Sequence, residues 1–184
     1  MFSYEEFKSS IRAEGLARQN RFYVDVSPPK SLVNEPITGD LRRILLRCKS
    51  VSVPGVSVAT SPERLVGEQV EKPYDRSFGP ATMTFYMDQF FAGRTFFEQW
   101  IDSIQNSKTR TIGWYDDFVS REINVNVLDL NDQLKMTLTL HDAHPKMIGQ
   151  LQLDNSDAGV MTFDVTFDYH YYTTKYAATD AKRQ

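Results

Sequence analysis

The sequence predicts a mainly β protein: an antiparallel β-barrel or sandwich-like subunit with one flanking helix and a short N-terminal helix. The first observation is a strict alternation of apolar and polar side chains between residues 161 and 168. Because successive side chains of a strand point to opposite faces, this segment is predicted to be a strand with one dry and one wet face. The dry face holds Met161, Phe163, Val165 and Phe167, and the wet face holds Thr162, Asp164, Thr166 and Asp168.

A hairpin pattern is the second observation. Two alternating arms, residues 121–129 and 133–141, flank the turn residues 130–132, as expected for two antiparallel strands. His144-Pro145 is expected to end the second arm, and the last strand pair is expected to begin near Gly149. The polar side of these two arms holds Glu122, Asn124 and Asn126 on the first arm and Lys135, Thr137, Thr139 and His141 on the second.

The third observation is one mid-chain helix, residues 90–104, whose Phe97, Trp100, Ile101 and Ile104 fall at helical spacing. A short amphipathic helix is predicted over residues 4–14, ending near Gly15. Further strands are predicted over residues 21–26, about 44–53 and 81–87. Together with the two arms at residues 121–129 and 133–141, these segments give an antiparallel sheet of six or seven strands.

Composition limits the function. At 184 residues, with 41% hydrophobic and 24% charged residues, the chain is predicted to be one soluble domain, 1–184. The net charge of -3 argues against a general nucleic-acid binder. The single cysteine, Cys48, predicts no internal disulfide and is expected to be a small buried filler in a reducing cytoplasm. We expect no signal peptide and no membrane-spanning segment.

Two segments lack regular periodicity. Residues 56–80 contain three of the eight prolines and many charges, so we expect a long loop that is functional or ordered by a partner. A polar loop is expected to precede the strand at about residue 44. The C-terminal residues 173–184 are polar and are expected to form a loose tail.

No catalytic or metal site is predicted. His141 and His144 have a possible zinc spacing, but His170 lies on another strand and no third ligand or general base is placed, so exposed strand-end histidines are the favoured interpretation. Asp116 and Asp117 are interpreted as solvated turn acids. The sequence has no phosphate-binding or nucleophile-elbow motif. We therefore predict no enzyme activity, no cofactor and no metal, and we assign the many aromatic residues to the core and to subunit contacts.

The order of these landmarks resembles the tail tube proteins of contractile-tailed bacteriophages, a family related to secretion-tube ring proteins. The resemblance extends from about residue 14 to residue 172. It rests on Leu16-Ala17-Arg18-Gln19-Asn20-Arg21-Phe22-Tyr23-Val24, Arg47-Cys48-Lys49-Ser50-Val51-Ser52-Val53-Pro54-Gly55, Tyr74-Asp75-Arg76-Ser77-Phe78, Met83-Thr84-Phe85-Tyr86-Met87, Phe96-Phe97-Glu98-Gln99-Trp100, His144-Pro145 and Gly149-Gln150-Leu151-Gln152-Leu153-Asp154. The chain departs from the family pattern in a longer 27–43 insertion and in its 173–184 extension.

The resemblance implies a structural subunit of the virion tail that is assembled in the host cytoplasm. Hexameric rings would stack into a tube inside a contractile sheath, and double-stranded DNA would pass through the bore. Sheath, baseplate and tube-terminating proteins would be its partners. The 56–80 loop would contact the adjacent ring through Arg64, Glu68, Glu71, Lys72, Asp75 and Arg76. The bore candidates are Glu122, Asn124, Asn126, Lys135, Thr137, Thr139, Thr162, Asp164, Thr166 and Asp168.

The composition of these polar faces agrees with a conduit, because acidic and uncharged side chains would let DNA slide whereas a basic bore would bind phosphates strongly. Lys135 is the exception and is expected to pair with a neighbouring carboxylate. The alternatives are a tube-like baseplate initiator, a secretion-tube ring protein and, more remotely, a monomeric β-domain that binds a ligand through exposed aromatic residues.

Overall fold

The computed structural model describes residues 3–63, 67, 69–154, 156 and 159–177. Within them the chain forms nine strands, four α-helices and one 3-10 helix, so the mainly β prediction is confirmed. The helices are α1 (Tyr4–Glu14), α2 (Leu41–Leu45), α3 (Ala92–Ile104) and α4 (Tyr115–Phe118), with the 3-10 helix at Pro36–Asp40. The strands are β1 (Phe22–Val26), β2 (Cys48–Ser52), β3 (Val56–Glu63), β4 (Val70–Phe78), β5 (Ala81–Tyr86), β6 (Ser120–Leu128), β7 (Leu134–Ile148), β8 (Thr162–Asp168) and β9 (Tyr171–Tyr176).

Seven strands form one antiparallel sheet in the order β1-β6-β7-β8-β5-β2, with β9 also paired to β7. The 15-residue β7 joins two halves of this sheet. Its beginning pairs with β6 and β9, and with β1 these strands make the first half-sheet. Its end pairs with β8, and with β5 and β2 these strands make the second half-sheet. The sheet stays open at β1 and β2, so the described part of one chain closes no barrel.

The junction between the half-sheets lies at Asp142, whose backbone is left-handed (φ 52). Before it, Leu138 and Leu140 turn into the core; after it, Ala143 and Pro145 do so. Even-numbered residues therefore face the core before Asp142, and odd-numbered residues do so from Ala143 to Pro145. A left-handed residue can change the direction of a strand in this way because it interrupts the extended backbone. The register shift after Pro145 then turns Ile148 toward the core and leaves Met147 exposed.

The core lies between the half-sheets and α3. Phe96, Phe97 and Trp100 of α3 are fully buried and belong to one hydrophobic cluster with residues of both half-sheets. The Phe97 and Trp100 rings each lie about 6 Å from the Phe167 ring, at 6.0 and 6.1 Å between centroids. The helix approaches the sheet closely at Gly93, where a Cβ would lie 3.3 Å from the Phe163 ring. The predicted dry face of β8 is thus confirmed.

The predicted helices are confirmed within a few residues. α1 begins with a capping box: the Ser3 hydroxyl accepts a hydrogen bond from the Glu5 amide, and the Glu6 carboxylate accepts one from the Ser3 amide. The helix is capped at its C-terminal end by Gly15 (φ 72). α3 begins at Ala92 instead of residue 90. Asp116 and Asp117, predicted to lie in a turn, begin the one-turn helix α4, whose last residue Phe118 accepts a 2.6 Å hydrogen bond from Trp100 Nε1.

Several strand boundaries differ from the predictions. The strand pair expected to begin near Gly149 begins only at Thr162, because β7 continues to Ile148 and the residues described between 149 and 161 form no strand. The strand expected from about residue 44 begins at Cys48, because Leu41, Ile44 and Leu45 have helical spacing and are buried on one side of α2. β7 does not end at His144-Pro145. Pro145 lies beyond the last β6 pair, where β7 borders only β8, and a strand edge tolerates a residue without an amide hydrogen.

The other two differences concern segments expected to be irregular. The 173–184 tail is regular at its start, because β9 extends from Tyr171 to Tyr176 along β7; residues 178–184 lie outside the described residues. Residues 56–80 are not a loop but the strand pair β3–β4, whose eight register pairs accommodate Pro62 and Pro73 on two unpaired edges. We call this strand pair the hairpin below.

Candidate assembly surfaces

The wet face of the second half-sheet brings four of the predicted bore residues together. Thr162, Asp164, Thr166 and Asp168 lie on β8, on the side away from the core. Three of them have direct register partners on β5, namely Tyr86, Thr84 and Thr82, and the Thr82 and Thr166 hydroxyls are 3.4 Å apart. Ser50 and Ser52 of β2 extend the rows by one strand. The sequence analysis missed these β5 and β2 residues, although the alternation in residues 81–86 carries the same signal.

The charges of this wet face are arranged in three ways. Lys146 Nζ lies 3.3 Å from Asp168 Oδ2, across the β7–β8 boundary. Lys49 Nζ lies over the Tyr86 ring, 5.7 Å from its centroid. The Asp164 side chain is exposed and has no hydrogen bond or ion pair with the described part of the chain. The face therefore presents paired lysines and one open carboxylate.

The wet face of the first half-sheet holds the other predicted bore residues. Thr137 donates to Asn126 Oδ1 at 2.8 Å and Thr139 donates to Asn124 Oδ1 at 2.7 Å, so the polar groups of β6 and β7 satisfy one another. His141 shares a 2.9 Å hydrogen bond with Thr173. The face is a shallow depression of about 340 Å³ lined by Glu122, Asn124, Asn126, Thr137, Thr139, His141, Thr173 and Lys175. At its margin Lys135 Nζ lies 3.8 Å from Asp129 Oδ2, as expected of a lysine paired with a carboxylate.

The ten predicted bore residues thus form two groups and not one. Both half-sheets turn their dry sides to the shared core, so their wet faces point away from it separately. The structure brings the β8 residues together with β5 and β2, and it brings the β6 residues together with β7 and β9. His141, Tyr171, Thr173 and Lys175 complete the second group. The aromatic and β-branched composition of residues 171–176, Tyr-Tyr-Thr-Thr-Lys-Tyr, is the signal that could have found the β9 members.

The hairpin continues two strands of the second half-sheet. Ser52 pairs with Thr82 and Val56 pairs with Phe78, so both strands advance by four positions across the bend and keep their register. The amide of Gly79 donates to the carbonyl oxygen of Gly55 at 3.3 Å inside the bend. β2–β3 and β4–β5 are therefore one long two-stranded ribbon, bent at Pro54-Gly55.

An aromatic cluster anchors the base of the hairpin. The Phe78 ring lies 6.2 Å from the Tyr169 ring and 5.4 Å from the Tyr172 ring. The Tyr169 hydroxyl donates to the Gly79 carbonyl oxygen at 2.7 Å. Burial, together with the nearby Tyr172 and Asp168, raises the pKa of Tyr169 to about 12, so the hydroxyl keeps its proton and the donated bond.

Beyond this base the hairpin is exposed. Tyr74, Val58 and Val70 are 71%, 54% and 58% exposed. Cross-strand contacts hold the two strands together: the Ser57 and Ser77 hydroxyls at 2.7 Å, Thr60 to Glu71 at 2.8 Å, and a Lys72–Glu63 ion pair. The structure places four predicted inter-ring residues on the exposed part of β4, namely Glu71, Lys72, Asp75 and Arg76. Arg64 and Glu68 lie outside the described residues.

The remaining candidate groups are dispersed. The prediction of an exposed strand-end histidine is wrong for His144, which is half-buried inside β7 with its ring 5.7 Å from the Phe118 ring. Its buried Nδ1 has no hydrogen-bond partner among the described residues. Burial lowers the pKa of His144, an effect that Asp168 opposes and Lys146 adds to. Burial also raises the pKa of the Cys48 thiol to about 11, which suits a filler better than a nucleophile. Among the described residues no three His, Cys, Asp or Glu side chains are grouped to hold a metal ion.

Among the described residues, no helix combines the length and the apolar character that crossing a bilayer requires.

Solved structures with this fold include chains of contractile injection systems and an Hcp protein. The chain is similar to a chain of the PVC sheath-tube complex, an extracellular contractile injection system in its extended state, with 17% identity, coverage of 96% of this chain and 100% of that chain, and a TM-score of 0.60. It is similar to a chain of the PVC sheath/tube terminator, with 18% identity, coverage of 87% and 96%, and a TM-score of 0.62. A mutant Hcp1 protein from E. coli EAEC 042 matches with 10% identity, coverage of 86% and 92%, and a TM-score of 0.52.

The sequence itself identifies the family. The family model described as phage tail tube protein matches residues 17–175. The tail tube protein of Serratia phage KSP90 is 27% identical over 173 residues, covering 94% of this chain and 96% of the relative. The chain therefore belongs to the phage tail tube protein family, and it is a structural subunit of a virion tail.

Proposed function

We propose that this chain forms hexameric rings that stack into the inner tube of a contractile tail and that double-stranded DNA passes through the bore. The sheath, the baseplate and a tube-terminating protein are its partners, and assembly takes place in the host cytoplasm. The subunit has no enzymatic activity and needs no cofactor. Family membership and the likeness to chains of sheath-tube and tube-terminator assemblies support this proposal.

The observation that carries the stacking proposal is the hairpin. A two-stranded hairpin is at best marginally stable in water unless a further surface packs on it. Here eight register pairs project from the core with both outer edges unpaired and with Val58, Val70 and Tyr74 exposed. Exposed strand edges readily pair with another chain. The next ring supplies the missing surface, and Glu71, Lys72, Asp75 and Arg76 lie where they contact it.

The open edges of the second half-sheet support ring closure. β2 is one edge, and the end of β7 is the other because β6 stops opposite Ala143. Pairing β2 of one copy with the end of β7 of the next is a head-to-tail contact. Such a contact closes into a ring when the rotation between copies divides the circle evenly. The ring then contains one continuous sheet contributed by all copies.

We assign the bore to the wet face of the second half-sheet. Its β2 and β5 strands continue into the hairpin, so a hairpin directed at the next ring places this half-sheet along the stacking direction. The bore residues are then Thr162, Asp164, Thr166 and Asp168 with Ser50, Ser52, Thr82 and Thr84. The wet face of the first half-sheet, with Glu122, Asn124, Asn126, Lys135, Thr137 and Thr139, lies outside the bore.

Negative-stain electron microscopy with mass photometry at rising concentration tests this function. The account predicts hexameric rings and hollow stacks for the full chain, with a baseplate seed added if nucleation is required. A matched variant in which a short turn joins Val56 to Phe78 retains the ring edges, and it should give rings without stacks. A chain that stays monomeric with the seed contradicts the proposal and favours a ligand-binding β-domain. Rings that never stack favour a baseplate initiator.

A further inference from the structure

The wet face assigned to the bore contains two lysines, and both have partners. Lys146 and Asp168 form an ion pair at 3.3 Å, and Lys49 lies over the Tyr86 ring. Lys146 sits at a register shift between Pro145 and Met147, which directs its long side chain across to β8. Asp168 is opposite His144 in register, but the His144 ring packs edge-on against Phe118. The carboxylate of Asp168 is therefore the anionic partner that Lys146 meets on this face.

We propose that Asp168 weakens the binding of DNA phosphates by Lys146, so that this ion pair helps to keep the bore's hold on DNA weak. The inference rests on the proposed function, because it requires this face to line the bore. Lys146 is placed to bind a phosphate, because its side chain is 62% exposed and within reach of a ligand in the bore. Its ion pair with Asp168 competes with that binding.

The physical reason is counterion release. Each lysine that binds a phosphate displaces a condensed cation from DNA, and binding gains affinity that depends steeply on salt. A ring carries one such lysine per subunit at the same height, so small gains at single sites multiply around the circle. A conduit that released every Lys146 would hold DNA through many contacts at once. A lysine paired with a carboxylate must give up that pairing to contact a phosphate, and the nearby carboxylate repels the phosphate, so its net gain is smaller.

The same strand provides a matched control. Asp164 and Asp168 lie on one face of β8 four residues apart, and replacing either with Asn removes one negative charge. D164N weakens the repulsion of phosphate but frees no cation, because Asp164 pairs with no lysine among the described residues. D168N removes the same charge and frees Lys146. The Lys146–Asp168 pair is largely exposed, and such pairs contribute little to folding, so both variants are expected to fold.

The experiment measures binding of a short fluorescent double-stranded DNA to full-length rings of the wild type, D164N, D168N and K146Q/D168N at several salt concentrations. The slope of log affinity against log salt counts the phosphate contacts, at about 0.9 per contact. We expect D168N to bind several-fold more tightly than D164N at low salt and with a steeper slope. K146Q/D168N should return to the slope of D164N.

Two outcomes overturn the inference. If D164N and D168N show equal affinity and slope, net charge controls retention and the ion pair does not. If K146Q/D168N keeps the slope of D168N, the freed cation is not Lys146. If no variant changes DNA binding although microscopy shows stacked rings, this face does not line the bore; the inference then fails with that assignment, while the tube itself stands.

Discussion

The two-stranded ribbon formed by β2–β3 and β4–β5 is buried in one half and exposed in the other. β2 and β5 are packed into the sheet, where Met83 and Phe85 of β5 are 0% and 1% exposed. Four positions further along the same two strands, the hairpin extends into solvent with Tyr74 71% exposed. The antiparallel pairing is the same in both regions, and its register is kept across the bend up to a shift between Ala59 and Thr60. What differs is the presence of a covering surface: α3 and β8 cover one region, and none of the described residues covers the other.

The core region therefore stabilises the fold of the single subunit, whereas the hairpin serves assembly. The core region gains its stability from burying large aromatic side chains within the chain. The hairpin gains little until another surface packs on it. The bend at Pro54-Gly55 and the Tyr169 bond to Gly79 separate the two regions. Variants in the two regions should therefore affect different measurements.

The largest effect on folding is expected from the core. Phe167→Ala should lower the free energy of unfolding by about 3–5 kcal/mol, because the fully buried ring leaves a cavity beneath Phe97 and Trp100. Urea unfolding followed by circular dichroism measures this change. Tyr74→Ala is the matched aromatic control in the hairpin, and it should change the free energy by less than about 0.5 kcal/mol. Equal losses in the two variants would remove the distinction between the regions.

The second effect is a difference in local opening. In the unassembled chain, backbone amides of β3 and β4 should exchange with deuterium much faster than those of β5 and β8, because few buried contacts oppose opening of the hairpin. In assembled tubes the hairpin amides should become protected while those of β5 change little. Mass spectrometry of exchanged peptides resolves this. A hairpin as protected as β5 before assembly would mean that it is stable by itself.

A smaller effect is expected at the boundary between the regions. Tyr169→Phe removes the hydrogen bond to Gly79 but keeps the ring, and it should lower the free energy of unfolding by about 1 kcal/mol. The variant should also open the hairpin base in the exchange experiment.

The boundary has a pH dependence as well. The pKa of Tyr169 is about 12 in the folded chain, above the ordinary tyrosine value of 10.0, so its stabilising contribution is complete below pH 10 and is lost as the pH rises toward 12. In urea titrations across this range, wild type should lose stability more steeply than Tyr169→Phe. Parallel curves would show that Tyr169 ionises equally well in both states.

The smallest effect is expected from the hairpin ion pair. Lys72→Gln breaks the ion pair between Lys72 and Glu63, whose side chains are 60% and 51% exposed, respectively. Because the pair is exposed, the change should alter the free energy of unfolding by less than about 0.5 kcal/mol. Its influence should be on stacking, measured as the concentration at which tubes form. Gln133→Ala, a polar change in the β6–β7 turn, serves as the control. A shift in unfolding without any shift in stacking would place Lys72 with the core and not with the assembly surface.

Much of this fold follows from local pattern. The alternation in β8 predicts its buried and exposed faces correctly because one face meets an aromatic core and the other meets water. The spacing of Phe97, Trp100 and Ile104 predicts α3 for the same reason. The alternation of apolar and polar residues also predicts the wet face of each half-sheet separately. It does not show that Asp142 reverses which residues of β7 face the core, because that depends on a single left-handed backbone angle.

The missed elements have physical causes. The hairpin has little amphipathic pattern because both of its faces are exposed in the single chain, and its prolines are tolerated at unpaired edges. β9 joins β7 late in the sequence, where a polar composition suggested a tail. The pairing of Lys146 with Asp168 depends on a register shift between strands that are far apart in the sequence. Sequence alone therefore identifies the surfaces better than it places them relative to one another.

A cryo-electron microscopy map of assembled tubes tests the central claim most directly. The account predicts six subunits per ring, with Thr166 and Asp164 lining the bore and the hairpin packed against the adjacent ring. Rings joined through β2 and the end of β7 would complete the picture. A map in which the hairpin points away from its neighbours, or in which Asn124 and Thr139 line the bore, would contradict it.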